Sequence, residues 1–154
     1  MFAETSCPAL PPCALAPCVV VHGLADARLA LAEGLAVTLL SAQGAAVWGG
    51  AGWWRALVAA AMAAHPATPC RDVLDCGAAP GRAMAALRAG QRALVLDPAC
   101  PAFARITSLG ALVLPCRPPA LDLAGRGAAR GLRAWLSAPT MPCRQSAAGR
   151  GGSR

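Results

Sequence analysis

Five short apolar runs, each followed by a helix-forming stretch, constrain this chain more than any other feature. The runs are CVVVHG (18–23), AVTLLS (36–41), RDVLDCG (71–77), RALVLDP (92–98) and ALVLPC (111–116). They are continuously apolar rather than alternating, which is the pattern of a strand covered on both faces. Between them lie ADARLALAEG (25–34), WWRALVAAAMAAH (53–65, stopped by Pro66), GRAMAALRAG (81–90) and PAFARITSLG (101–110), and a last helix is expected over 123–136. Strands alternating with helices through right-handed crossovers give a parallel sheet. The expectation is an α/β fold: a doubly wound three-layer sandwich with a roughly five-stranded parallel sheet.

The 154 residues suffice for one domain with a real core and fall short of two. Pro8, Pro11, Pro12 and Pro17 remove amide donors and fix φ, so residues 1–17 read as an irregular proline-rich leader. Residues 18–136 read as the single α/β domain, and 137–154, ending in GRGGSR, as a flexible basic tail. The charge is uneven. Residues 1–116 hold seven arginines against six acids, whereas residues 117–154 hold seven arginines against Asp122 alone. A basic end of this kind suits nucleic acid, and GRGGSR resembles an RGG-type RNA-binding segment. The whole chain lacks lysine, so a heavy use of arginine, alanine and glycine also fits a coding bias.

The most apolar run, ALVAAAMAA (56–64), is too short to span a bilayer, and no basic segment precedes the apolar N-terminus. No membrane association and a cytoplasmic location are expected. Eight cysteines occur with no C-x-x-C pair, and His22 and His65 stand apart from them. No metal site is expected; the thiols read as small buried hydrophobes in a reducing compartment.

The stretch DVLDCGAAPGRAM (72–84) ends a strand, turns on glycines and opens a helix, so backbone amides face outward at the positive helix end. Asp97 follows the next strand, where an acid can accept hydrogen bonds from ribose hydroxyls. VLDCGAAPG resembles the cofactor loop of class I S-adenosylmethionine-dependent methyltransferases. The resemblance covers residues 72–97 and implies that Asp75, Gly77 and Gly81 form a cofactor turn while Asp97 holds the ribose. Two strand–helix units precede the turn here, whereas that family places it after the first strand. The family's RNA 2′-O-methylating branch also uses lysines that this chain lacks. Without a cofactor, Gly77 and Gly81 simply allow a tight turn.

VWGGAGWWR (47–55) sets Trp48, Trp53 and Trp54 among three glycines. Tryptophans so placed either bury against a helix or anchor a protein partner. Nucleophilic chemistry has little to work with: Ser41 lacks a Gly-x-Ser-x-Gly elbow, and a phosphate-binding loop needs a lysine. With seven acids, two histidines and neither lysine nor tyrosine, the chain reads as a non-catalytic binding or interaction domain. The alternative is a reduced S-adenosylmethionine-binding, methyltransferase-like domain.

Overall fold

A computed structural model describes residues 15–138. The expected leader (in its residues 1–14) and the expected tail (in its residues 139–154) lie outside the described residues. Six strands form one parallel sheet: β1 (Cys18–Val21), β2 (Val37–Ser41), β3 (Cys70–Asp75), β4 (Ala93–Val95), β5 (Leu112–Leu114) and β6 (Ala120–Asp122). The helices are α1 (Leu24–Ala32), α2 (Ala45–Trp48), α3 (Gly50–Ala64), α4 (Pro80–Arg88), α5 (Phe103–Thr107) and α6 (Ala128–Ser137). The α/β class, with a parallel sheet flanked by helices, is as the sequence implied. Among the described residues the strand count is six rather than roughly five.

The added strand, β6, is three residues long and carries no pattern of its own; it exists because it pairs with β1. The glycine-rich loop after β2 contains the short α2, and α3 begins three residues earlier than expected, at Gly50. The last helix begins at Ala128, because Gly127 adopts φ +75° at its N-cap and Gly125 lies outside it.

The strand order is β5-β4-β3-β2-β1-β6, so the chain steps one way through five strands and then returns to the far side of β1. The link 115–119 makes this return without a helix. From Leu114 to Ala120 six residues reach about 22 Å at most, yet five strand spacings alone amount to about 24 Å across a flat sheet. The sheet therefore curls, bringing its two edges towards each other.

Packing follows the curl. The larger core joins Val19, Val21, Leu39, Leu74 and Leu94 to apolar faces of all six helices, including Leu31, Trp54 and Leu132. The residues that alternate with these, Val20, Leu40, Val73, Ala93 and Val95, form a smaller cluster on the opposite, concave face. Leu112, Leu114 and Ala120 pack against it.

Candidate functional site

Two residues beyond each concave-face side chain, the chain reaches the carboxyl end of the sheet. Val20 leads to His22, Val73 to Asp75, Val95 to Asp97, Leu114 to Cys116 and Ala120 to Asp122; only β2 ends on an apolar residue, Ala42. Because the side-chain period is two, the strands deliver five polar positions to one end of one face. The carboxyl end is where parallel α/β sheets place ligands, above all where the strand order reverses. Here it reverses between β1 and β6, the strands that carry His22 and Asp122.

These two residues are in contact. His22 Nε2 lies 2.7 Å from Asp122 Oδ1, which also accepts the Ala124 amide at 2.9 Å. Partial burial would raise the Asp122 carboxyl, but the Ala124 N–H, the His22 hydrogen bond and charge, and the Arg117 guanidinium together hold it below the usual carboxylate value. The His22 amide donates to Asp26 Oδ2 at 2.9 Å, tying the β1 end to the first turn of α1.

Asp75 is 1% exposed and fully engaged. Its Oδ1 accepts the Gly77 amide at 2.8 Å, and its Oδ2 is ion-paired with Arg117 Nη1. Arg117 Nη2 donates to the Ser41 carbonyl at 3.0 Å, so one guanidinium from the link 115–119 joins the ends of β2 and β3. Ser41 is buried, and its Oγ accepts the Asp75 amide at 2.8 Å while donating to the Ala42 carbonyl. That hydroxyl is a structural pin.

The glycine turn is real, and its two glycines differ. Gly77 sits at φ +54°, a left-handed conformation that the turn requires. Gly81 is an ordinary helical residue one position after Pro80, with open space where a Cβ would stand. Asp97 is exposed; its amide donates to the Gly77 carbonyl at 2.8 Å and its Oδ1 accepts the Ala99 amide. The structure thus brings Asp75, Gly77 and Asp97 together, with Asp75 already paired.

The tryptophans divide. Trp54 is fully buried and donates its indole N–H to Asp72 Oδ2 at 2.8 Å, so it belongs to the core and offers no surface to a partner. Trp53 is half-buried; a Cβ at Gly49 would lie 2.7 Å from its ring, so the glycine makes room for the indole. Trp48 is 62% exposed beside Val47 at 51%, and its ring centroid lies 5.3 Å from that of Trp53.

Sequence reasoning missed Arg117 and Asp122 as site residues. The one available signal was that Asp122 is the sole acid in an otherwise basic stretch. Among the described residues no group of three or more His, Cys, Asp or Glu is placed to hold a metal ion, and no helix is long and apolar enough to cross a membrane. No protein-family model and no curated protein sequence matches this chain.

Proposed function

We propose that this is a non-catalytic binding domain that engages a protein partner through Trp48 and Val47 at the carboxyl end of the sheet. The supporting observation is the exposure of these two apolar side chains, 62% and 51%, on a short helix whose Ala45 and Ala46 are buried. Trp53 packs against Trp48 with the rings tilted by 50°, and Trp54 beside it donates its indole N–H to Asp72, so the anchor leans on a ring that the core supports. Tryptophan so held is a favoured interface anchor. The test places a photo-crosslinking residue at position 47 of the full chain in cells. A discrete adduct that disappears in Trp48→Ser supports the reading; an adduct pattern unchanged by that substitution, or no adduct, rejects it.

A second reading, S-adenosylmethionine binding at Gly77, Gly81 and Asp97, is favoured by Gly81, whose lack of a side chain answers no steric need of the fold. The engagement of both Asp75 oxygens weighs against it. Calorimetric titration with S-adenosylmethionine decides it, with Gly81→Trp as control. Saturable heat lost in the control supports a cofactor loop, and no heat leaves a plain strand-to-helix turn. RNA association through the arginine-rich end would appear as salt-sensitive binding lost on deleting residues 139–154.

A further inference from the structure

The four tryptophans divide by what their indole N–H groups meet. Trp54 donates to Asp72 Oδ2 and Trp135 to the Cys18 carbonyl, each at 2.8 Å. Trp48 and Trp53 have no such acceptor among the described residues. Nor is the Trp53 N–H shut away, because among those residues the buried side-chain atom without a partner is Gln91 Oε1. An indole N–H at the surface is free to donate to an incoming carbonyl.

The surroundings narrow the chemistry. Residues 42–54 include no charged side chain, so an acidic or basic ligand finds no counter-ion within this segment. The Trp48 and Trp53 rings are tilted by 50° with centroids 5.3 Å apart, which sets their apolar faces at an angle. Gly52, next to Trp53 in the chain, is exposed with open space where a Cβ would stand. Aromatic faces with free N–H donors and no charge suit a proline-rich segment, whose rings are apolar and whose carbonyls have few amides to satisfy them.

The chain itself contains one. PALPP, residues 8–12, is uncharged, and Pro8, Pro11 and Pro12 lack an N–H. These residues precede the described part of the chain. Ala16 marks the amino end of the sheet, where its carbonyl accepts the Thr38 hydroxyl at 2.9 Å. Pro12 stands four residues before Ala16, a reach of about 14 Å at most. That reach is spent along β2, which is about 13 Å long, and Trp48 lies on α2 beyond its far end. The segment therefore falls short of its own indoles and fits those of another molecule.

Given the partner-binding reading of the Trp48 surface, we infer that the partner is a second copy of this chain. Its residues 8–12 lie across Trp48 and Trp53, with proline rings on the indole faces and a carbonyl on an indole N–H. Two copies that exchange this segment close a symmetric pair.

The test compares the full chain with P8A/P11A/P12A, whose substitutions lie outside the described residues. In sedimentation equilibrium the parent is expected to rise towards twice its mass with concentration, and the variant to stay single. The ¹⁵N-labelled variant is then titrated with a synthetic peptide of residues 6–14 in which serine replaces both cysteines. Of the four indole N–H signals, those of Trp48 and Trp53 are expected to move, and those of Trp54 and Trp135, already hydrogen-bonded, to stay. Adding Trp48→Ser should weaken the peptide more than tenfold, as loss of an aromatic anchor does. The same peptide with alanine for its three prolines should move neither signal. Equal masses for parent and variant, or unmoved Trp48 and Trp53 signals, overturn the assignment. A cross-link from position 47 to a different protein, lost in Trp48→Ser, would in that case leave the partner reading standing without the second copy.

Discussion

Arg117 reaches from the link between β5 and β6 to ion-pair with Asp75 at the end of β3, 42 residues earlier in the chain. The pair ties the link to the carboxyl end of the curled sheet, and among the described residues Asp75 has no other cation. Removing Arg117 leaves a buried carboxylate with only the Gly77 amide for compensation. Arg117→Gln is expected to cost about 3 kcal/mol in urea unfolding. Combined with Asp75→Asn, the loss should be less than the sum of the single losses, because the stranded charge disappears. Strict additivity would show that the pair does not clamp the link.

Stability should fall in acid partly through Asp122. Its carboxyl lies below the usual value when folded, so its contribution is fully present above the unfolded carboxylate value. It is lost as pH falls through the lower, folded value. Urea midpoints measured from neutral pH into acid should therefore decline less steeply for Asp122→Asn than for the parent below the ordinary carboxylate range. Parallel curves would mean that the Asp122 carboxylate, with its Ala124, His22 and Arg117 interactions, has no linkage to folding.

Trp54 and Trp48 should respond in opposite ways. Trp54→Phe keeps an aromatic ring in the core but removes the N–H that Asp72 accepts, and should cost about 1–2 kcal/mol. Trp48→Ser should leave stability within about 0.5 kcal/mol, since its ring is mostly in water. Thermal melts of the two variants check the contrast, which would reverse if Trp48 were part of the core.

The two loop glycines give a second contrast. Alanine at Gly77 must adopt φ +54° and should cost about 1–2 kcal/mol. Alanine at Gly81 enters open space on a helix and should be neutral or stabilise by up to about 1 kcal/mol. Chemical denaturation of both variants distinguishes a required turn glycine from one that folding does not need.

Thiol labelling should follow burial. Burial pushes the Cys76 thiol up to about 12, helped by the Asp75 charge. It pushes Cys18 up to about 11 despite the opposing Thr38 hydrogen bond. Cys116 is exposed. Iodoacetamide at neutral pH, read by peptide mapping, should modify Cys116 well before Cys18 or Cys76. Labelling of Cys76 at the rate of Cys116 would contradict the packing around β3.

The sequence by itself determined the alternation of strands and helices, the parallel class and the turn at Gly77. These depend on local signals: apolar runs, Pro66 stopping a helix, and glycines where φ must be positive. Tertiary structure alone decided the rest. Strand β6 forms because β1 offers an edge, and Asp122 meets His22 across 100 residues of chain. The same local pattern VWGGAGWWR sends Trp54 into the core and leaves Trp48 in water, because only the packed sheet supplies Asp72 as a partner for one indole. Burial and periodicity act over a few neighbours and can be read along the chain. A charge or an edge strand finds its partner only in space, across the curled sheet.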